Sequence, residues 1–257
     1  LMSYCILKLH NHYYQKGFLY FKETSSVLIN RDIFTVPQRF AQIVVVNIFN
    51  LFHELIILIL IISSIIIYDS FIVLILSFTV LPIFFFSYRI TKNKIKTLGH
   101  NFNDILPKIA NNIYQSVFGY VDVIINGTYK FFLKRIKDKM SIFKNISIWL
   151  IIFKLIPSRI IEVSVVLSIF VIIVYGLTYI NSKEELLGLL GVYTIASYRI
   201  MPSINRVMIS LNGITENQYT LDVIEQLLTR KNFTKNESNS IYFNNEISLN
   251  NLTNKYP

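Results

Sequence analysis

The sequence is poor in the residues that interrupt or cross-link a chain. Cys5 is its one cysteine, which excludes an intrachain disulfide framework. Eight glycines and six prolines in 257 residues leave long stretches with nothing to stop a helix. Charged residues make up only 16%, too few for a disordered or purely solvating chain. Acidic residues are the scarcer sign, 15 against 25 basic ones, giving a net charge of +10. Leu1 to Glu23 has neither a basic start nor a small-residue cleavage site, which excludes a signal peptide there. His10 and His12 are two residues apart and share no helical face, so they are surface histidines and not a metal pair. No Gly-x-x-x-x-Gly-Lys-Ser/Thr loop occurs, so the chain has no phosphate-gripping loop of its own and cannot hydrolyse ATP alone.

What is abundant is apolar: 53% of residues, dominated by isoleucine and phenylalanine. Arg39 to Arg89 holds two apolar runs parted by Tyr68-Asp69-Ser70. Leu55 to Ile67 carries no charge, and neither does Phe71 to Tyr88. A run of about 18 uncharged residues is what a helix needs to cross the roughly 30 Å hydrocarbon core. Inside lipid the backbone must satisfy its own hydrogen bonds, so these runs are expected as a helical hairpin. A third span is expected at 160–180 and a fourth at 186–212, parted by the polar loop Asn181 to Glu185.

Between the second and third spans the pattern changes. Ile95, Leu98, Phe102, Ile105, Ile109, Ile113 and Val117 recur every three or four residues among Lys, Asn and Asp. That period predicts an amphipathic helix in water, continuous with the second span. One helix from Ser70 to Phe118 would be on the order of 70 Å long. Gly127 is expected to end this rod, and a short basic-aromatic helix, Thr128 to Lys137, to follow it. The segment Arg89 to Arg159 carries thirteen Lys and Arg, against none in Tyr68–Ser70 and Lys183 alone in Asn181–Glu185. By the positive-inside rule the basic side and both chain ends face the cytoplasm of a multi-pass protein in the cell membrane.

Earlier in the chain, Phe18 to Glu23 is expected as a short helix, and Thr24-Ser25-Ser26 as the start of the next. After Thr229, residues 230–240 form a polar linker. Beyond it Ile241, Phe243, Ile247 and Leu249 alternate across Asn244-Asn245-Glu246, which predicts strands of a second domain over 241–257.

This layout resembles the transmembrane domain of exporter-type ABC transporters over residues 1–229. The fold class is then all-α and membrane-embedded, with long helices reaching into the cytoplasm and the first strands of a truncated nucleotide-binding domain behind them. The resemblance implies six spans, of which the third to sixth are present. It also implies coupling helices near 22–28 and 128–137, the second presenting Tyr129, Phe131 and Phe132 to the chain's own ATP-binding domain. Tyr256 matches the aromatic residue that stacks on adenine, and ATP with Mg is the cofactor implied for the full-length protein. Within the family the stretch Ser197-Tyr-Arg-Ile-Met-Pro-Ser-Ile-Asn-Arg-Val207, with Leu221-Asp-Val-Ile-Glu225 after it, is similar to lipid-linked oligosaccharide flippases. Pro157-Ser-Arg-Ile-Ile-Glu162 also resembles their fifth span, with Arg159 displaced by one residue and so turned about 100° around the helix. The implied function is ATP-driven translocation of a polyprenyl-pyrophosphate-linked glycan, or another amphiphile, by a homodimer in the lipid bilayer.

Arg199 and Arg206 are seven apart and share one helical face. A guanidinium inside a membrane costs several kcal/mol unless it meets a cavity or partner. Together with Arg159 they are the candidate cavity residues for the pyrophosphate. The alternative is that they snorkel to water, or pair with Glu162 or Glu216. The aromatics and lysines of 128–137 fit either a groove of the ATP-binding domain or anionic headgroups. Pro82 and Pro202 interrupt helix hydrogen bonds as hinges or as packing kinks. Other readings keep the fold and change the cargo to peptide, protein or drug-like lipid, or make the chain a membrane sensor or glycosyltransferase. A glycosyltransferase needs paired acids or metal ligands, whereas Glu54 and Glu162 read as scattered singles and no metal site is expected. Nucleic-acid binding has the charge but no fold to support it.

Overall fold

A helix once nucleated runs until something stops it, and here little does. The computed structural model describes residues 1–68, 70–179 and 183–229. All regular structure among them is helical. The linker expected at 230–240, the strands at 241–257 and the adenine-stacking Tyr256 lie outside the described residues. So do Asp69 and residues 180–182, within the two expected turns.

Helix α1 (Met2–Tyr14) is followed by α2 (Gly17–Glu23). Gly17 sits at φ 78°, a left-handed conformation that suits glycine, and makes the turn between them. Thr24 and Ser25 are extended, and α3 (Ser26–Asn30) starts behind them. Helical backbone then continues through a π-helical segment (Arg31–Thr35), α4 (Val36–Arg39), a second π-helical segment (Phe40–Val45) and α5 (Val46–Tyr68). Pro37 lies in the first turn of α4. Its ring would clash with the carbonyl four residues back in a tight α-turn, and the wider π turn ahead of it gives that ring room.

Two rods dominate the remainder. Helix α6 (Ser70–Phe118) runs 49 residues through Pro82 and Pro107, and α8 (Tyr129–Tyr179) runs 51 residues through Pro157. Between them sits a six-residue helix, α7 (Tyr120–Ile125). The first rod therefore ends at Phe118, nine residues before Gly127, where Gly119 follows it. Gly127 instead makes the turn into α8, at φ 61°. The stretch 128–137 is no separate helix, because no Gly or Pro parts it from the rest of α8. The stretch 22–28 is no helix either, since Thr24 and Ser25 break it. Helices α9 (Lys183–Glu216) and α10 (Tyr219–Thr229) close the described chain.

The rods α6 and α8 pack against each other most extensively, and α5 packs mainly on α9 although α6 follows it in sequence. The core forms where these four helices meet, around Ile65, Val80, Ile161, Ile172, Tyr193 and Met208. A small second cluster, Leu9, Tyr13 and Ile29, ties α1 to α3. Polar bonds cross the seams between rods. Ser158 donates to Asn205 at 2.9 Å, and Lys154 pairs with Glu216 at 2.7 Å. Tyr193 shares a hydrogen bond with Ser168 and donates to the Val165 carbonyl. The outward faces stay apolar and uncovered, with Phe49 and Phe52 on α5, Phe85 and Phe86 on α6, and Phe170 and Val174 on α8. Two helical rods, Ser26–Ile67 and Tyr129–Thr178, are long and apolar enough to cross a membrane. The span expected at 41–67 lies within the first and residues 160–178 of the span expected at 160–180 within the second, and those expected at 71–88 and 186–212 lie in α6 and α9.

Candidate functional site

The candidate site is the seam between α5 and α9, and a seven-residue spacing builds it. Residues seven apart on an α-helix return to nearly the same face. On α9 these are Arg199, Arg206 and Gly213; on α5 they are Asn47, Glu54 and Ile61. The helices set these triplets against each other in antiparallel order. Gly213 faces the Asn47 amide, so closely that a β-carbon there would sit 2.5 Å from Nδ2. Glu54 faces Arg206, whose Nε donates to Oε1 at 2.5 Å. Ile61 and Arg199 line one groove.

Glu54 is 3% exposed. A carboxylate buried so deeply without a cation would cost several kcal/mol, and Arg206 removes most of that cost. His53 Nδ1 stands 3.6 Å from the same oxygen, Oε1. The other oxygen, Oε2, is buried with no hydrogen-bond partner among the described residues. Arg206 is only half covered, with 53% of its side chain exposed, and its Nη2 also donates to Ser203 Oγ at 3.3 Å. The partner of Arg206 is therefore neither Glu162 nor Glu216. Glu162, on α8, accepts instead from Arg159 at 2.7 Å.

Next along the seam, a groove of about 470 Å³ opens between the two helices. Its walls are Ile57, Leu60, Ile61, Ile65, Val192, Ile195 and Ala196, with Ser64 and Arg199 as polar points. Arg199 is exposed and has no carboxylate partner among the described residues. An apolar trough with one free guanidinium can hold an apolar tail and an anionic head, since Arg matches phosphate oxygens with paired N–H donors. Of the three candidate arginines Arg199 alone lines this groove; Arg206 lies two turns along the same face of α9, and Arg159 lies on α8, engaged by Glu162.

A second feature is the tip of the α6–α8 pair. Tyr129 and Phe131 are exposed on the first turn of α8, Phe132 is half-buried, and Arg135 stands over the Phe131 ring at 5.3 Å. Helix α7 adds exposed Tyr120, Val121 and Ile124, which the sequence pattern did not single out. Phe118 and Ile125 extend the same apolar cap. The missed signal was Gly119, eight residues before Gly127, since two glycines at that spacing bracket a separate short element.

The chain matches no protein-family description and no characterised protein.

Proposed function

We propose that this chain is the membrane-spanning part of an ATP-driven exporter of the ABC type, and that it moves a lipid-linked oligosaccharide or related amphiphile. The observation that carries the reading is the length of the α6–α8 pair. At 1.5 Å per residue, helices of 49 and 51 residues measure about 73 and 76 Å, more than twice the roughly 30 Å hydrocarbon core. A helix made only to anchor a chain has no need of that excess. A pair of helices projecting tens of ångströms into water, closed by an apolar tip, suits the transfer of motion from a soluble domain. Most basic residues of 89–159 lie on this projecting part, which favours the cytoplasmic side for it.

In this reading the tip, α7 with Tyr129, Phe131 and Phe132, docks on the chain's own ATP-binding domain. Closure of two such domains around ATP and Mg draws the tips together in a homodimer. The rods carry that movement to the α5–α9 groove, which alternates between the two membrane faces. Arg199 and Arg206 receive the pyrophosphate, and the apolar wall receives the polyprenyl chain.

The test is transport by the full-length protein in proteoliposomes. Arg199→Ala combined with Arg206→Ala is expected to cut flipping of a lipid pyrophosphate by about tenfold or more, each lost charge-assisted contact being worth about 1.5–3 kcal/mol. An unchanged rate removes this cargo. A neutral or peptidic cargo is the second reading, and one feature favours it. A groove of about 570 Å³ between α6 and α8, lined by Pro82, Phe86, Ile90, Ile160 and Leu167 among others, is almost wholly apolar. If that groove carries the cargo, the arginine variants transport normally and a Leu167→Glu variant does not.

A further inference from the structure

A buried ion pair stabilises a helix seam poorly. Desolvation of both charges offsets most of their attraction, and a well-packed apolar pair does as well or better. The Glu54–Arg206 pair is poorer than most. Oε1 takes the Arg206 Nε hydrogen and Ser203 stands beside the carboxylate, but Oε2 makes no hydrogen bond of normal geometry among the described residues. The Arg206 side chain is half in the open, and among the described residues its Nε and Nη2 are the engaged nitrogens. Stability alone gives no reason for this arrangement. Electrostatics gives one. The seam holds Arg199 and Arg206 about 10 Å apart along one face, and Glu54 reduces their combined charge from two to one.

We infer that the Glu54 carboxylate is a built-in competitor for Arg206, which weakens the hold of this face on an anionic, pyrophosphate-bearing amphiphile. This rests on the reading of the α5–α9 groove as the anion-carrying site. A site with two free guanidiniums in low dielectric would grip a pyrophosphate and release it slowly. With Glu54 in place, an incoming anion must displace a carboxylate from Arg206, and on departure the carboxylate returns. Ser203 holds Nη2 from the α9 side and keeps the guanidinium oriented through the exchange. Glu54 is thus a positioning and charge-balancing residue and touches no cargo.

The inference has a signature that a purely structural pair lacks. Glu54→Gln and Arg206→Gln each remove the same ion pair while keeping a hydrogen-bonding amide, so a structural role moves both variants in one direction. Charge competition moves them in opposite directions. The measurement is binding of farnesyl pyrophosphate to the purified chain in phosphatidylcholine nanodiscs, with farnesol and inorganic pyrophosphate as controls. E54Q is expected to tighten binding by about tenfold and R206Q to weaken it by about tenfold, a unit charge at partly exposed range being worth about that much. The double variant restores the net charge and is expected back near the wild-type affinity. Should E54Q fail to fold, the comparison of R206Q with the double variant carries the test, because loss of the acid must then recover binding. Binding that falls in both single variants, or that E54Q leaves unchanged, overturns the role of Glu54 while the groove remains an anion site. Wild-type protein that binds farnesyl pyrophosphate no better than farnesol overturns the groove reading and this inference with it. Inorganic pyrophosphate bound as tightly as the farnesyl compound overturns the amphiphile as ligand.

Discussion

Among the glycines that make close approaches, Gly99 and Gly213 differ in what a side chain would meet. At Gly99, on α6, a β-carbon would run into the backbone carbonyl of Glu216, the last residue of α9. That carbonyl cannot swing away, and the Glu216 side chain is itself held by Lys154. At Gly213 the obstacle is the amide end of Asn47, which can rotate. Gly99→Ala is therefore expected to lower stability by roughly 1–3 kcal/mol and Gly213→Ala by clearly less, in denaturant melts of the detergent-solubilised chain. Equal losses would mean that the α6–α9 approach is looser than described. A third residue reports through pH. Tyr13 is buried and donates to Asp32 Oδ2 at 2.8 Å. Burial first, and then the adjacent Asp32 carboxylate, push its hydroxyl well above the ordinary tyrosine value. The folded chain then keeps a proton that the unfolded chain gives up near pH ~10. Stability from Tyr13 is complete below that point and falls as pH rises past it. Tyr13→Phe is expected to flatten the decline between about pH 9 and pH 11, which parallel melts of the two proteins measure.

At the scale of elements, the ends of the long rods are where expectation and structure part. The rod ends at Phe118 and the next begins at Tyr129, so the weak point of the hairpin is residues 119–128. Chymotrypsin at low dose is expected to cut first after Phe118 or Tyr120, and to spare Phe131 and Phe132 inside α8, because cleavage needs locally opened backbone. First cuts at Phe131 or Phe132 would restore the separate helix that the basic-aromatic stretch suggested. That α6 continues well past its apolar half was legible in sequence, because it depends on local facts: period, length without charge, and the scarcity of breakers; where it stops, and that α8 is one rod, was not. The stripe down α6 was legible in position but not in partnership. Ile105 and Ile109 are buried, whereas Ile113 and Val117, on the same stripe, are exposed near the tip. Periodicity marks a face and does not say how far its cover extends. The α5–α9 seam shows the same limit. The seven-residue repeat of Arg199, Arg206 and Gly213 stands in the sequence, as does that of Asn47, Glu54 and Ile61. That the two repeats oppose each other depends on which helices pack, and no single-chain pattern encodes that. Glu54 therefore looked solitary until α9 was placed beside it.

For the whole molecule the question is what covers its outer faces. Phe49, Phe52, Ile56 and Ile59 on α5, and Val166, Phe170 and Val174 on α8, are all substantially exposed. At about 25 cal/mol per Å² of apolar surface, such faces are unfavourable in water and point to a membrane or another protein as their cover. Charge decides which parts are wet. Lys92, Lys94, Lys96, Lys137 and Lys139 lie on the projecting halves of α6 and α8, and a bilayer core does not tolerate such a density of ammonium groups. A bilayer around the apolar halves, with these lysines on one side, meets both constraints. It fixes a sidedness that can be measured. With Cys5 replaced, single cysteines at Lys96, Lys139 and Leu187 would be labelled by an impermeant maleimide from each side of sealed vesicles. Leu187 is exposed near the start of α9, and residue 139 is about 57 Å of helix from residue 177 near the end of α8. Lys96→Cys and Lys139→Cys are expected to label from the same side, and Leu187→Cys from the opposite one. Labelling of all three from one side would mean that the rods lie against something other than a bilayer. The exporter reading would then lose the barrier across which it requires work to be done.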